Sequence, residues 1–251
     1  MARNLLIIGN WKMNPATLAE AKEISTAVRK IALKVKHTTV VIASPSIFLP
    51  TLAAKKSLLF FAAQDVSSFV FGAHTGDVSA SMAKSAGARF VIVGHSERRA
   101  AGDTDEIVRD KFARAIEAGL VPILCVGEKK RDSDGDYFSE IFRELSAVLK
   151  TATAESVPKF VVAYEPVWAV GGAYENALSP EEMRAMAIFI KKTCAQFIPT
   201  EKALKIPVLY GGSIDVENAK MMIAGGVDGL LVGRESLNPE HFVEIIKFAD
   251  A

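Results

Sequence analysis

The chain lacks most of what would hold a protein together from outside its own core. Among 251 residues there are only two cysteines, Cys125 and Cys194. They form neither a disulfide framework nor a metal-binding spacing, and they predict a buried thiol at Cys125 and a cytoplasmic setting. Net charge is also missing: 30 basic side chains face 29 acidic ones, which leaves +1. Such a chain carries no electrostatic footprint for nucleic acid or an anionic membrane, so neither is expected as a partner. The first apolar run, residues 5–8, is too short for a signal peptide. No run approaches the ~18 apolar residues that a membrane span needs. Low-complexity linkers are absent as well, which predicts one domain over residues 1–251.

What is present is alternation. Half of the residues are hydrophobic and 24% are charged, the composition of a globular domain. Short apolar runs rich in β-branched residues stand at 5–8, 39–43, 58–62, 90–93, 121–126, 160–163, 207–210 and 229–232. Helical spacing fills the gaps: Leu18, Ala21, Ile24, Val28 and Ile31 share one face, and Phe138, Ile141, Phe142, Leu145 and Leu149 another. Asn14-Pro15, Ser44-Pro45, Ser179-Pro180 and Asn238-Pro239 each place a capping side chain before a proline, which predicts four helix starts. Gly87, Gly119 and Gly225 are expected near helix ends. Apolar strands alternating with helices predict parallel pairing under a helical cover. Eight such units predict closure into a (β/α)8 barrel of about the usual length. An open doubly wound sheet is the competing arrangement. It usually carries a glycine fingerprint in its first turn, and residues 9–14 have none.

In a barrel of this kind chemistry gathers at the C-terminal ends of the strands. Asn10 and Lys12 follow the first run, Gln64 the third, His95 with Glu97 and Arg98 the fourth, and Glu128 the fifth. Glu165 follows the sixth, with Pro166, Val167 and Trp168 as a stiff hinge and Gly171-Gly172 as a pliable tip. A carboxylate under such a loop suggests a base beneath a lid; an ordinary surface glutamate is the other reading. Glycines before Ser213 and at Gly233 open onto helix starts, which suits an anion, although tight turns also use glycine. Lys12, His95 and Glu165 come from three strands. A cation, an imidazole and a carboxylate together can polarise a carbonyl and remove a proton beside it. His37 and His241 are expected as plain surface residues.

The stretches Asn10-Trp11-Lys12-Met13-Asn14, Gly94-His95-Ser96-Glu97-Arg98-Arg99, Tyr164-Glu165-Pro166-Val167-Trp168 and Tyr210-Gly211-Gly212-Ser213 resemble the triosephosphate isomerase family. So does Gly72-Ala73-His74-Thr75-Gly76-Asp77, and the likeness runs from the first strand to the last helix. The resemblance implies a single (β/α)8 TIM barrel that interconverts dihydroxyacetone phosphate and D-glyceraldehyde 3-phosphate. It implies Glu165 as the proton shuttle, neutral His95 as hydrogen-bond donor to the substrate oxygens, and Lys12 as the compensating cation, roles that are general knowledge of this enzyme. Asn10 is implied beside the same oxygens and Glu97 as a support. Backbone amides around Gly171, Ser213 and Gly233 are implied at the phosphate, and Arg234 is a candidate there. No metal or organic cofactor is implied. A homodimer is implied, with the loop at 65–79 inserting Thr75 beside Lys12 and Glu97 of the partner; this would cover Phe69, Val70 and Phe71.

Two places depart from the family pattern. The lid tip, residues 170–180, is about two residues longer than usual, and Tyr174 stands where lysine is common. After the eighth strand, Arg234 and Glu235 replace a glycine and an alanine. Arg234 either points to solvent, paired with Glu235, or lends its guanidinium to the phosphate site. These departures leave room for an alternative, a barrel that binds without turnover; a different sugar-phosphate isomerase on the same fold is a third reading.

Overall fold

The computed structural model describes residues 4–54, 57–131, 135–150, 159–169 and 178–251. Eight strands run β1 Leu5–Asn10, β2 Thr38–Ser44, β3 Leu59–Ala63, β4 Phe90–Val93, β5 Val121–Val126, β6 Val161–Tyr164, β7 Val208–Tyr210 and β8 Gly229–Val232. All pair in parallel in chain order, and β8 returns to β1, closing the barrel. Around them lie α1 Leu18–Ala32, α2 Leu49–Ala53, α3 Ala80–Ser85, α4 Ser96–Ala100, α5 Asp105–Glu117, α6 Asp136–Leu149, α7 Pro180–Cys194, α8 Thr200–Ala203, α9 Val216–Gly225 and α10 Pro239–Asp250.

The strands read as unbroken apolar runs because both of their faces are buried. Leu6, Ile8, Val41, Ala43, Ile92, Ile123, Cys125, Ala163, Leu209 and Leu231 fill the barrel interior. Their neighbours Leu5, Ile7, Val40, Ile42, Val91, Leu124, Val162 and Leu230 pack outward against the helices. A fully buried Ile such as Ile7 or Ile8 contributes about 1.5–3 kcal/mol. This two-residue alternation also aims the site. Counting on by twos from the inward residues reaches Asn10, Gln64, Glu165, Gly211 and Gly233, all at the C-terminal mouth of the barrel.

Two of the four expected helix starts hold. Ser179 caps α7 in a reciprocal capping box with Glu182, and Asn238 caps α10. The other two move. Helix α1 starts after Thr17, whose hydroxyl and Glu20 satisfy each other's amides, so a two-bond cap displaces the single one expected at Asn14. Ser44 stays in the β2 ladder, paired with Ala63, and α2 begins five residues later. The left-handed residue that ends α9 is Gly226 rather than Gly225, which is the helix's last residue.

Candidate active site at the mouth of the barrel

Asn10, Lys12, His95, Glu165, Gly211, Ser213, Gly233 and Arg234 line one cavity of about 250 Å³. These residues come from five separate strand ends, β1, β4, β6, β7 and β8, and barrel closure brings them to one mouth. Glu97 stands just outside the cavity, and Gly171 lies outside the described residues together with the rest of 170–177.

His95 is buried and forms the N-cap of α4. Its Nδ1 accepts the Glu97 N–H at 3.2 Å. An Nδ1 that accepts cannot carry a proton, so the ring is neutral and Nε2 bears the N–H. Helix α4 has only five residues, and this one local bond decides the tautomer. Nε2 faces into the cavity, 3.5 Å from Glu165 Oε1.

Glu165 is 2% exposed, a buried carboxylate with little solvent to satisfy it. Its Oε2 accepts the Ser96 N–H at 3.3 Å. Its backbone is clamped as well: its N–H bonds Val126 O at 2.8 Å, and the Val167 N–H bonds Glu128 O at 3.0 Å. The carboxylate of Glu128 accepts Tyr164 Oη at 2.9 Å and Trp168 Nε1 at 2.9 Å, gripping the chain on both sides of Glu165. Burial first, and the Glu128 charge second, push the Tyr164 phenol well above its ordinary range, so it stays a donor. A Cβ on Gly211 would lie 2.8 Å from Glu165 Cγ, so only glycine leaves room for the glutamate there. Cys125 stands beneath. Burial and then the Glu165 charge hold its thiol well above the usual value, so it stays protonated and does not act as a nucleophile.

Lys12 sits at φ +53, an uncommon backbone for a side chain other than glycine. Three contacts hold it there. Its N–H bonds Asn10 Oδ1 at 3.1 Å, its carbonyl accepts Gln64 Nε2 at 2.8 Å, and its Nζ meets Glu97 Oε1 at 2.6 Å. Asn10 and Glu97 therefore both bear on Lys12, one at its backbone and one at its head group.

On the opposite wall, Ser213 Oγ donates to Ala169 O at 2.7 Å, and Asn218 Nδ2 donates to Ser213 O at 3.0 Å. This ties the start of α9 to the short 3-10 turn Val167–Ala169 behind Glu165. Gly233 precedes a second 3-10 turn, Arg234–Leu237. Arg234 is exposed, and among the described residues it has no ion-pair partner. The expected Arg234–Glu235 pair does not form. Glu235 Oε2 instead lies 2.6 Å from His241 Nδ1, so His241 is on the surface as expected but paired there.

Sequence reasoning named Glu128 and Gly211 only as neighbours of the strand ends. Their tasks depend on contacts across strands, with Trp168 and with Glu165, which no local pattern displays. A carboxylate directly after an apolar strand and a glycine was the available signal for Glu128.

Fold and cavity together define a (β/α)8-barrel protein equipped for proton transfer: a neutral imidazole N–H and a buried carboxylate share one mouth with a lysine. A family model described as Triosephosphate isomerase matches residues 5–249. Over 98% of its length the chain is 40% identical to the triosephosphate isomerase of Alkalilimnicola ehrlichii, covering 99% of that protein. It is 37% identical to the Enterobacter cloacae enzyme, over 99% of the chain and 98% of that protein. The crystal structure of triosephosphate isomerase from Bartonella henselae superposes with a TM-score of 0.83 at 31% identity, covering 98% of both chains. The chain belongs to the triosephosphate isomerase family.

Proposed function

We propose that the chain interconverts dihydroxyacetone phosphate and D-glyceraldehyde 3-phosphate, with Glu165 and His95 as the catalytic pair. The observation that carries this reading is the 3.5 Å approach of His95 Nε2 to Glu165 Oε1 in the cavity that Lys12 also lines. Glu165 takes the proton from C1 of the ketose, and the electron pair of that bond becomes the C1–C2 double bond. Charge moves onto the former carbonyl oxygen, where the His95 N–H and the Lys12 ammonium offset it. His95 moves the hydroxyl proton between the two oxygens, and Glu165 returns its proton to C2, giving the aldose. Asn10 bonds near the same oxygens, and Glu97 positions Lys12. Backbone amides at Ser213 and Gly233 suit the phosphate, with Gly171, outside the described residues, as a further contact. Arg234, exposed at the rim, adds long-range attraction for a dianion. Closing the loop at 170–177 would exclude water, which protects an enediol phosphate from losing its phosphate.

The working form is a homodimer in the cytoplasm, built as one domain over residues 1–251. The loop at 65–79, with Thr75 at its tip, reaches the partner beside Lys12 and Glu97. Phe71, 86% exposed, Phe69, Val70 and Met13 are the apolar surface such a contact would cover. The barrel that binds without turnover is not favoured, because the relatives that match over nearly the whole chain carry the isomerase name. A coupled turnover assay on the purified protein, with Glu165→Asp as control, tests the proposal. Turnover that falls about a thousandfold in the variant supports it, and no turnover by the unaltered protein overturns it.

A further inference from the structure

Glu144 lies on α6, behind the barrel wall and outside the catalytic cavity, and is 3% exposed. One of its oxygens, Oε2, accepts the Gly127 N–H at 3.0 Å. Gly127 in turn presses on the Glu165 backbone: a Cβ there would lie 1.8 Å from the Glu165 carbonyl oxygen. The other oxygen, Oε1, stands 3.6 Å from Arg99 Nε. That same Nε donates to Gly94 O at 3.0 Å, the carbonyl of the peptide that leads into His95. Arg99 Nη1 is anchored on Asp105 at 2.7 Å. One pair, a buried carboxylate and a partly buried guanidinium, therefore touches both arms of the site, His95 through the Gly94 carbonyl and Glu165 through the Gly127 amide.

We propose that Arg99 and Glu144 are positioning residues that set the His95–Glu165 separation from behind the barrel wall. The inference rests on the assignment of those two residues as the catalytic pair. A strand end has no neighbour beyond its last ladder bond, so something outside the sheet must fix its direction. Here a guanidinium with several fixed donors spans what a single ammonium would not. The charges facing Glu144 are Arg99 of α4, Asp105 of α5, and Arg143 and Glu140 of its own helix. The Cys125 thiol of β5 completes the surroundings. Two cations thus stand against two carboxylates besides Glu144 itself, so Glu144 acts through its fixed position more than through its charge.

The test compares Glu144→Ala, Glu144→Gln and Arg99→Lys in the full chain, below their melting transitions. Removing the acceptor in Glu144→Ala is expected to lower kcat about tenfold to a hundredfold, as a misplacement near 1 Å does, with KM within about twofold. Glu144→Gln still accepts the Gly127 N–H and is expected to recover most of that loss. Arg99→Lys is expected to lower kcat with the same unchanged KM. Folded variants with unaltered kcat, or a loss that lies in KM, would overturn the proposal. If Glu144→Ala does not fold, Arg99→Lys decides by the same criterion. The His95 Nε2 resonance separates this idea from the catalytic assignment. A shift in the variants supports the brace even in a protein without turnover, and an unmoved resonance sinks it.

Discussion

Two hollows flank Lys12, and the larger one is the poorer candidate for chemistry. The hollow between the loops after β1, β3 and β4 has a volume of about 530 Å³, against about 250 Å³ for the cavity at the mouth. Its charges cancel one another. Arg98 meets Asp65 at 2.9 Å, and Lys111 meets Asp65 at 2.7 Å and Asp103 at 2.6 Å. Burial pushes the Asp65 carboxyl up, against the pull of Lys111 and Arg98. Exposed Met13 lines this hollow, and exposed Phe69 and Phe71 belong to the loop that supplies Ser67, Ser68 and Gly76 to it. The smaller cavity keeps a buried carboxylate and an imidazole nitrogen 3.5 Å apart. Size measures room, whereas reactivity needs polar groups held close but not neutralised. The larger hollow suits a protein partner, and the smaller suits a small anion.

Substitutions on each side test that contrast. The largest effect is expected at Glu165. Glu165→Asp withdraws the carboxylate by one methylene, and kcat is expected to fall about a thousandfold with little change in KM, read in a coupled assay. Next comes the surface of the larger hollow. Phe71→Glu is expected to convert the protein to its 27.0 kDa monomer in sedimentation velocity at micromolar concentration. Turnover is expected to drop at least about tenfold with it, because Lys12 and His95 line both hollows. A monomer with full turnover would break the link between them.

A smaller effect concerns pH. Burial raises the Glu144 carboxyl from 4.5 to about 7, although Arg99 and the Gly127 N–H pull it down. The folded protein then binds more protons than the unfolded chain between those values. The contribution is fully present below about pH 4.5 and is lost as pH rises through about 7. Glu144→Gln should lack that slope, a difference on the order of 3 kcal/mol across the window, seen in urea midpoints of the two proteins. The smallest effect is expected at Arg234. Its side chain is exposed, so solvent screens it. Arg234→Gly is expected to weaken a phosphate-bearing transition-state analogue about two- to threefold at low salt and not at all at high salt. A tenfold loss that survives salt would place the guanidinium on the phosphate itself.

Much of this was legible in the chain. Strands β4, β5 and β8 fall at the expected residues, and the other five differ by one or two positions at an end. A strand buried on both faces shows as an apolar run whatever its neighbours are. The capping box at Ser179 and Glu182 was equally plain, because both partners lie within four residues. Misplaced starts at Asn14 and Ser44 came from reading a cap and a proline as sufficient. The bonds that decided them, Thr17 with Glu20 and Ser44 in the sheet, compete for the same backbone.

The sequence by itself determined eight parallel strands and the residues that follow their C-terminal ends, which made those residues the candidates for the mouth of the barrel. Period and apolarity are local properties, and they survive without knowledge of what packs where. Only the tertiary structure decided the clamp of Glu128 on Tyr164 and Trp168, the room that Gly211 leaves for Glu165, and the partner of Glu235. Most of these contacts join residues on different strands or helices. Their distances exist only once the barrel has closed, because closure alone fixes which strand ends face one another.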